Sequence, residues 1–162
     1  MLYEAATWDS EPDARPPIGE ILSRPRTALY VAGWGRPGDT GFVAEAAGTP
    51  VGTAWYRFYA RSACGYGFVD ESVPELTIGV EAAWRRRGIG RALLEALLDG
   101  ARAASVGSVS LSVEEANPAL RLYERCGFRR MELVDGAWTM LADLAASAPD
   151  ASGRTGPGSP SG

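Results

Sequence analysis

Between Glu75 and Arg91 the chain reads ELTIGVEAAWRRRGIGR, an alternating apolar stretch, then a turn, then the start of a helical pattern. Gly88 and Gly90 fall where that helix begins and take side chains out of the path of anything approaching the backbone. First-turn N–H groups have no intrahelical partner, and with the positive end of the helix dipole they form an anion site. Arg85, Arg86 and Arg87, with Arg91 one turn on, add charge and forked phosphate donors. The chemistry these residues describe is a pyrophosphate held at a helix N-terminus. Two other readings compete with it. One is an exposed Arg run on a surface turn. The other is a dinucleotide-binding loop, which is weaker because Gly88-Ile89-Gly90-Arg91-Ala92-Leu93 does not complete GxGxxG and no first βαβ unit precedes it.

Missing residue types narrow the chemistry further. The 162-residue chain has no His, no Lys and no Gln, and its one Asn is Asn117. Without His there is no Ser-His-Asp or Cys-His pair, and without Lys there is no Schiff base and no P-loop lysine. Proton transfer must therefore use Glu, Asp, Tyr, Cys, a terminus or water. Cys64 and Cys126 lie too far apart in sequence for close-spaced zinc ligands, no His can complete a site, and two cysteines make no disulfide scaffold. We expect no metal and two reduced thiols. The first half of the chain is acidic and the second slightly basic, with a net charge of −4. That balance, with one short basic run, argues against nucleic-acid binding. No signal-peptide pattern and no apolar run of membrane-spanning length is present, so the expected location is the cytoplasm, without a membrane partner.

The elements that must position these residues can be read from periodicity. Residues 9–17 are too rich in Pro and charge for regular structure, and Ile18 to Ser23 reads as a short helix ending near Pro25. A glycine-rich loop at 33–41 leads to a hairpin of Phe42–Ala47 and Val51–Phe58 joined by a turn at 47–50. The loop from Tyr59 to Pro74 is long enough to suggest a functional or mobile segment. Leu76, Ile78 and Val80 alternate as a strand, and Gly88 to Ala104 carries apolar residues at helical spacing. Val109 to Val113 is a further strand, and Asn117-Pro118 opens a helix that stops at Gly127. Phe128–Val134 and Ala137–Leu141 flank Asp135-Gly136, a two-residue hairpin turn. The expected domain is 1–144, an α/β (α+β) fold with a mixed, mostly antiparallel sheet, followed by a disordered Ala/Ser/Gly/Pro-rich tail at 145–162.

Two stretches resemble the signatures of the GCN5-related N-acetyltransferase (GNAT) family. Arg85-Arg86-Arg87-Gly88-Ile89-Gly90 is similar to the family's loop for acyl-CoA pyrophosphate, an Arg or Gln, two residues, Gly, any residue, then Gly or Ala. Trp84 stands where the family favours an aromatic, and Ala82 where it usually has Pro. NPALRLYERCGF at 117–128 is similar to the second signature, an Asn, then Leu-Tyr, then Gly-Phe. Together they cover roughly residues 75–130, and their conjunction is more specific than either alone.

The resemblance implies a splayed central strand pair, 75–80 against 108–113, with the pantetheine arm of acetyl-CoA lying in the gap. Backbone groups of Ile78, Gly79 and Val80 would line that arm, and Arg85, Arg86, Arg87, Gly88, Ile89, Gly90 and Arg91 would hold the pyrophosphate. Asn117 would meet the pantetheine, and Tyr123 would stand near the thioester sulfur as general acid. Asn117 also has a plain role as a helix cap, and Tyr123 as a packed aromatic. The reaction implied is direct attack of an amine on the thioester, with Val80 N–H as an oxyanion donor. Glu75 is the candidate base, with Glu81 and Glu71 as alternatives and a merely structural strand-edge carboxylate as the competing reading. Cys126 is assigned to helix packing.

The acceptor is hinted at by Trp34, Trp55, Tyr56, Phe58, Tyr59, Tyr66 and Phe68 with Asp70 and Glu71, an aromatic and acidic set that would suit a small cationic amine. The same aromatics could equally be core. Three functions stay open: acetyl transfer to a small primary amine, the same transfer to a protein or peptide amine, and a non-catalytic acyl-CoA-binding module. A sheet edge near the C-terminal hairpin leaves room for a homodimer.

Overall fold

Alternating apolar residues in the second half, and two facing hairpins at either end, build one six-stranded sheet. The structure is a computed structural model that describes residues 2–8 and 14–145. In chain order the elements are α1 (Leu2–Ala6), α2 (Ile18–Ser23), α3 (Pro25–Ala28), β1 (Thr40–Ala46), β2 (Thr49–Arg57), β3 (Glu75–Val80), α4 (Ile89–Ala103), β4 (Ser108–Glu114), α5 (Leu120–Arg125), β5 (Phe128–Val134) and β6 (Ala137–Asp143). The spatial order is β1-β2-β3-β4-β6-β5, antiparallel everywhere except between β3 and β4. This is the expected mixed, mostly antiparallel sheet with flanking helices. Residues 9–13 of the stretch expected to be irregular, and the tail from 146 onward, lie outside the described residues.

The core forms because α4 puts Leu93, Leu94, Leu97, Leu98 and Ala101 on one face, all buried. They pack against Leu76, Val109, Leu111 and Met140 of the sheet and against Leu120, Tyr123 and Phe128. A second cluster of Tyr30, Trp55 and Tyr59, with Leu2 and Phe68 against it, forms apart from this core.

Several boundaries differ from the sequence reading. The first hairpin turns at Ala47-Gly48, φ +49° and +79°, so β2 starts at Thr49 rather than Val51. Pro25 ends α2 as expected, but it also begins the short α3 as its first helical residue. Helix α5 begins at Leu120, not at Asn117, because Asn117 Oδ1 accepts the Ala119 N–H at 2.9 Å and closes a separate turn. Asp135-Gly136 is the expected two-residue turn, with φ +50° and +80°.

Arg57 closes the first half. Its guanidinium, fully buried, donates to Asp39 Oδ2 at 2.6 Å and Oδ1 at 2.9 Å, and to the carbonyls of Leu29, Ala32 and Gly33. One side chain thus fastens the glycine-rich loop onto β2.

Candidate functional site

A single residue pair joins β3 to β4, Glu75 with Ser110, where the Ser110 N–H donates to the Pro74 carbonyl at 3.0 Å. Beyond it the strands part. Peptide groups in an antiparallel ladder point alternately to the two edges of a strand. Glu81 N–H bonds Val51 O on the β2 side at 3.0 Å, so in the unbroken β2–β3 register Ile78 and Val80 turn their peptides the other way. Those peptides face the gap, as Gly79, which faces β2, does not. The gap opens into a groove of about 1730 Å³, running from Glu75 past Val80 to Gly88, Gly90 and Arg91, with Asn117, Leu122 and Tyr123 on the far wall.

At the wide end the chain turns through Ala82–Trp84, a single 3-10 turn, into α4. Arg86 has φ +61° and Gly88, the α4 N-cap, has φ +84°. A left-handed non-glycine residue costs about 1–2 kcal/mol, so Arg86 is strained. Left-handed residues at such a turn gather successive N–H groups into an anion-binding concavity. A Cβ built on Gly88 would meet nothing within 4 Å, which leaves its face open for a ligand to approach.

The arginine side chains divide their work. Arg85 Nε donates to Val80 O at 3.1 Å, and its Nη2 reaches Glu4 Oε2 at 3.0 Å, binding α1 to the end of β3. Arg87 stacks over Trp84, 4.9 Å from the ring centre. Arg91 is paired with Glu95 at 2.8 Å on the exposed face of α4. An anion at this turn would therefore meet backbone N–H groups, Arg86 and Arg87, because Arg85 and Arg91 are already paired with Glu4 and Glu95.

On the opposite wall Tyr123 is buried and packs edge-on against Phe128, with ring centres 5.9 Å apart. Burial pushes its hydroxyl pKa up, so the proton stays on. Asn117 lines the groove half-buried, its Oδ1 committed to the Ala119 N–H. Cys126 follows α5 as its cap residue and also lines the groove; burial raises its thiol pKa, which makes it a poor nucleophile.

Glu75 sits at the closed end and is 2% exposed. Its Oε1 accepts the Tyr30 hydroxyl at 2.5 Å and the Gly67 N–H at 2.8 Å. Its Oε2 is buried with no hydrogen-bond partner. Burial raises the carboxyl pKa, opposed by the Tyr30 and Gly67 hydrogen bonds. Gly65 lies so close that a Cβ there would fall 2.2 Å from Oε2, and one on Gly67 would fall 2.4 Å from the Leu111 backbone. Only glycine allows the 65–67 segment to lie this flat over the acid and over β4.

A protein-family model described as the acetyltransferase (GNAT) family matches residues 3–128. The chain belongs to the GNAT acetyltransferase family. It is 41% identical over 90 residues to a mycothiol acetyltransferase of Thermobispora bispora, a match covering 55% of this chain and 30% of that protein. It is 52% identical over 76 residues to the N-alpha-acetyltransferase RimI of Mycobacterium tuberculosis, covering 41% of this chain and 46% of that one. The chain thus spans less than half the length of these curated relatives. Among solved structures, a putative acetyltransferase of Salmonella typhimurium with acetyl-CoA aligns with a TM-score of 0.61 and 25% identity, over 93% of this chain and 89% of that chain.

Within this GNAT fold the aromatic and acidic set divides between the two readings the sequence left open. Trp55, Tyr56 and Tyr59 are buried core, and of the aromatic set Tyr66 and Phe68 line the groove. Asp70 is held by Ser72, and Glu71 accepts the Arg61 N–H at 2.8 Å; neither lines the groove, and neither does Glu81. Asp70 and Glu71 are instead held by donors of their own loop. The residues that sequence reasoning did not single out are Tyr30, Arg26 and Glu4. Glycines at 65 and 67 inside an overlong loop were the one local signal that something packed closely there. Among the described residues no cluster of acidic residues and cysteines could hold a metal, and no helix is long and apolar enough to cross a membrane.

Proposed function

We propose that this chain transfers an acetyl group from acetyl-CoA to a primary amine of a small molecule, by direct attack. The observation that carries this reading is the parted β3–β4 edge, where the Ile78 peptide and the Val80 N–H face the gap and lead to the Gly88 turn, the Val80 carbonyl being taken by Arg85 Nε. An amide-bearing pantetheine arm fits such an edge as a partial extra strand, and a pyrophosphate fits the first-turn N–H groups of 88–91. Arg85, Arg86, Arg87 and Arg91 add positive charge around it, and Asn117 borders the pantetheine path. When bound, acetyl-CoA supplies an activated acyl thioester.

The chain's own residues do the rest. Glu75 Oε2 takes a proton from the acceptor ammonium, and burial, by raising the carboxyl pKa, makes it a stronger base than an exposed glutamate. Because Oε2 is enclosed by Gly65, the amine meets it either through a water or with the 65–67 segment displaced. Val80 N–H, free on the gap side, donates to the developing oxyanion. Tyr123 stays protonated until the C–S bond breaks and gives its proton to the departing thiolate; the second proton, lost by the nitrogen as the amide forms, returns through water to Tyr123.

A second reading, transfer to a peptide or protein amine, is favoured by the 52% identity to an N-alpha-acetyltransferase. The deciding experiment is thiol release from acetyl-CoA, measured across small amines, aminoglycosides and peptides. Release with small primary amines supports the first reading and release with peptides alone supports the second. Acetyl-CoA binding without release for any amine would leave a binding module and refute both.

A further inference from the structure

We infer that Tyr30 is a positioning residue for this reaction, holding the Glu75 carboxylate so that one oxygen carries both fixed donors and the other is left for the substrate proton. The inference rests on the reading of Glu75 as the base. Tyr30 and Glu75 are 45 positions apart in sequence, yet the hydroxyl lies 2.5 Å from Oε1. The direction of that bond is fixed by its surroundings. Tyr66 N–H, a donor only, bonds the Tyr30 oxygen at 2.8 Å, so the single hydroxyl proton is directed to the carboxylate.

Tyr30 is itself held rigidly. Trp55 Nε1 donates to its carbonyl at 3.0 Å, Tyr59 packs edge-on at 5.9 Å, and Tyr66 stacks at 6.4 Å. Arg26 presses on the outer face of Tyr66 at 4.4 Å and donates to the Gly65 carbonyl at 3.0 Å. The same hydroxyl thus fixes the acid and helps hold down the 65–67 segment that encloses it. Titratable and charged groups facing Glu75 are Tyr30 and Arg26 from α3 and the turn after it, and Tyr59 from the segment after β2.

The proton balance leaves Tyr30 unchanged. The proton moves from the ammonium nitrogen to Glu75 Oε2 and passes to water before the next turnover. Burial and the neighbouring carboxylate push the Tyr30 hydroxyl up, so it donates throughout and never enters the relay.

The test is kcat/KM against pH from 5 to 9 on the full chain, with acetyl-CoA affinity measured alongside. Wild type should show an acidic limb, and Glu75→Gln should remove it. Tyr30→Phe withdraws a bond to the charged form, so the limb should persist but move up by about one pH unit, roughly a tenfold loss below it, with acetyl-CoA affinity unchanged. Should Tyr30→Phe fail to fold, Tyr30→3-fluorotyrosine, a stronger donor of nearly equal size, should move the limb down instead. A limb that survives Glu75→Gln overturns the base reading. A limb that Glu75→Gln removes but that neither Tyr30 variant moves overturns the role of Tyr30 alone.

Discussion

Replacing Gly88 by Ala separates the cost of folding this turn from the cost of using it. Gly88 caps α4 at φ +84° and ψ −8°, and a Cβ there meets no atom within 4 Å. The change therefore creates no clash, and its folding cost is the left-handed backbone alone, about 1–2 kcal/mol. In a domain of this size that lowers Tm by roughly 2–8 °C. The new methyl also projects from the face where a pyrophosphate would approach. Losing one charge-assisted backbone hydrogen bond costs about 1.5–3 kcal/mol, roughly 10–150-fold in Kd. Calorimetric titration with acetyl-CoA, well below the variant's Tm, reads this directly. A variant with lowered Tm and wild-type Kd would refute the placement of the anion over this turn.

The neighbouring glycine should behave oppositely in stability. A Cβ on Gly90 would make ordinary contacts, 3.7 Å from Leu122 and 3.8 Å from Val80, so Gly90→Ala should raise Tm by a few degrees through helix propensity of about 1 kcal/mol; an unchanged or lower Tm would contradict this. Tyr123→Phe should lower kcat by about 10²–10⁴-fold with acetyl-CoA affinity unchanged, as removal of a general acid does, and wild-type kcat would dismiss that role. Asp39→Ala leaves the buried Arg57 unpaired, at a cost of about 3–5 kcal/mol, and thermal unfolding should register a fall of roughly 6–20 °C. Glu75 has a folded pKa raised by burial, so the folded chain binds that proton more tightly than the unfolded one. Its stabilisation is complete below the unfolded value of about 4.3 and fades as pH rises through the folded value. Glu75→Gln should flatten that part of the Tm–pH curve, and an unaltered slope would count against it. Asp39, lowered chiefly by the Arg57 hydrogen bond, acts in the reverse sense, its stabilisation being lost at pH below about 3.9.

What the sequence made legible was what repeats along it. The apolar spacing of Leu93, Leu94, Leu97 and Leu98 announces α4, and Asp135-Gly136 announces the last hairpin, because both signals are local. The turn proposed to hold the pyrophosphate was legible for the same reason, since Gly88 and Gly90 stand beside the arginines. The short helices α1 and α3 carry too few residues for any periodicity. Nothing near Arg85 indicates that its guanidinium goes to Glu4, 81 positions away. Likewise nothing near Glu75 points to Tyr30, and the acidic pair Asp70 and Glu71 looked available only because their partners Ser72 and Arg61 are exposed turn residues. Contacts between distant segments are set by topology, and that part of the site needed the fold.

Whether acetyl-CoA lies along the parted β3–β4 edge can be read from amide exchange resolved by residue, with and without acetyl-CoA. Acetyl-CoA should slow exchange at Ile78 and Val80, whose N–H groups face the parted edge, and at the first-turn amides after Gly88. Binding of acetyl-CoA with those amides exchanging as fast as before would contradict that placement.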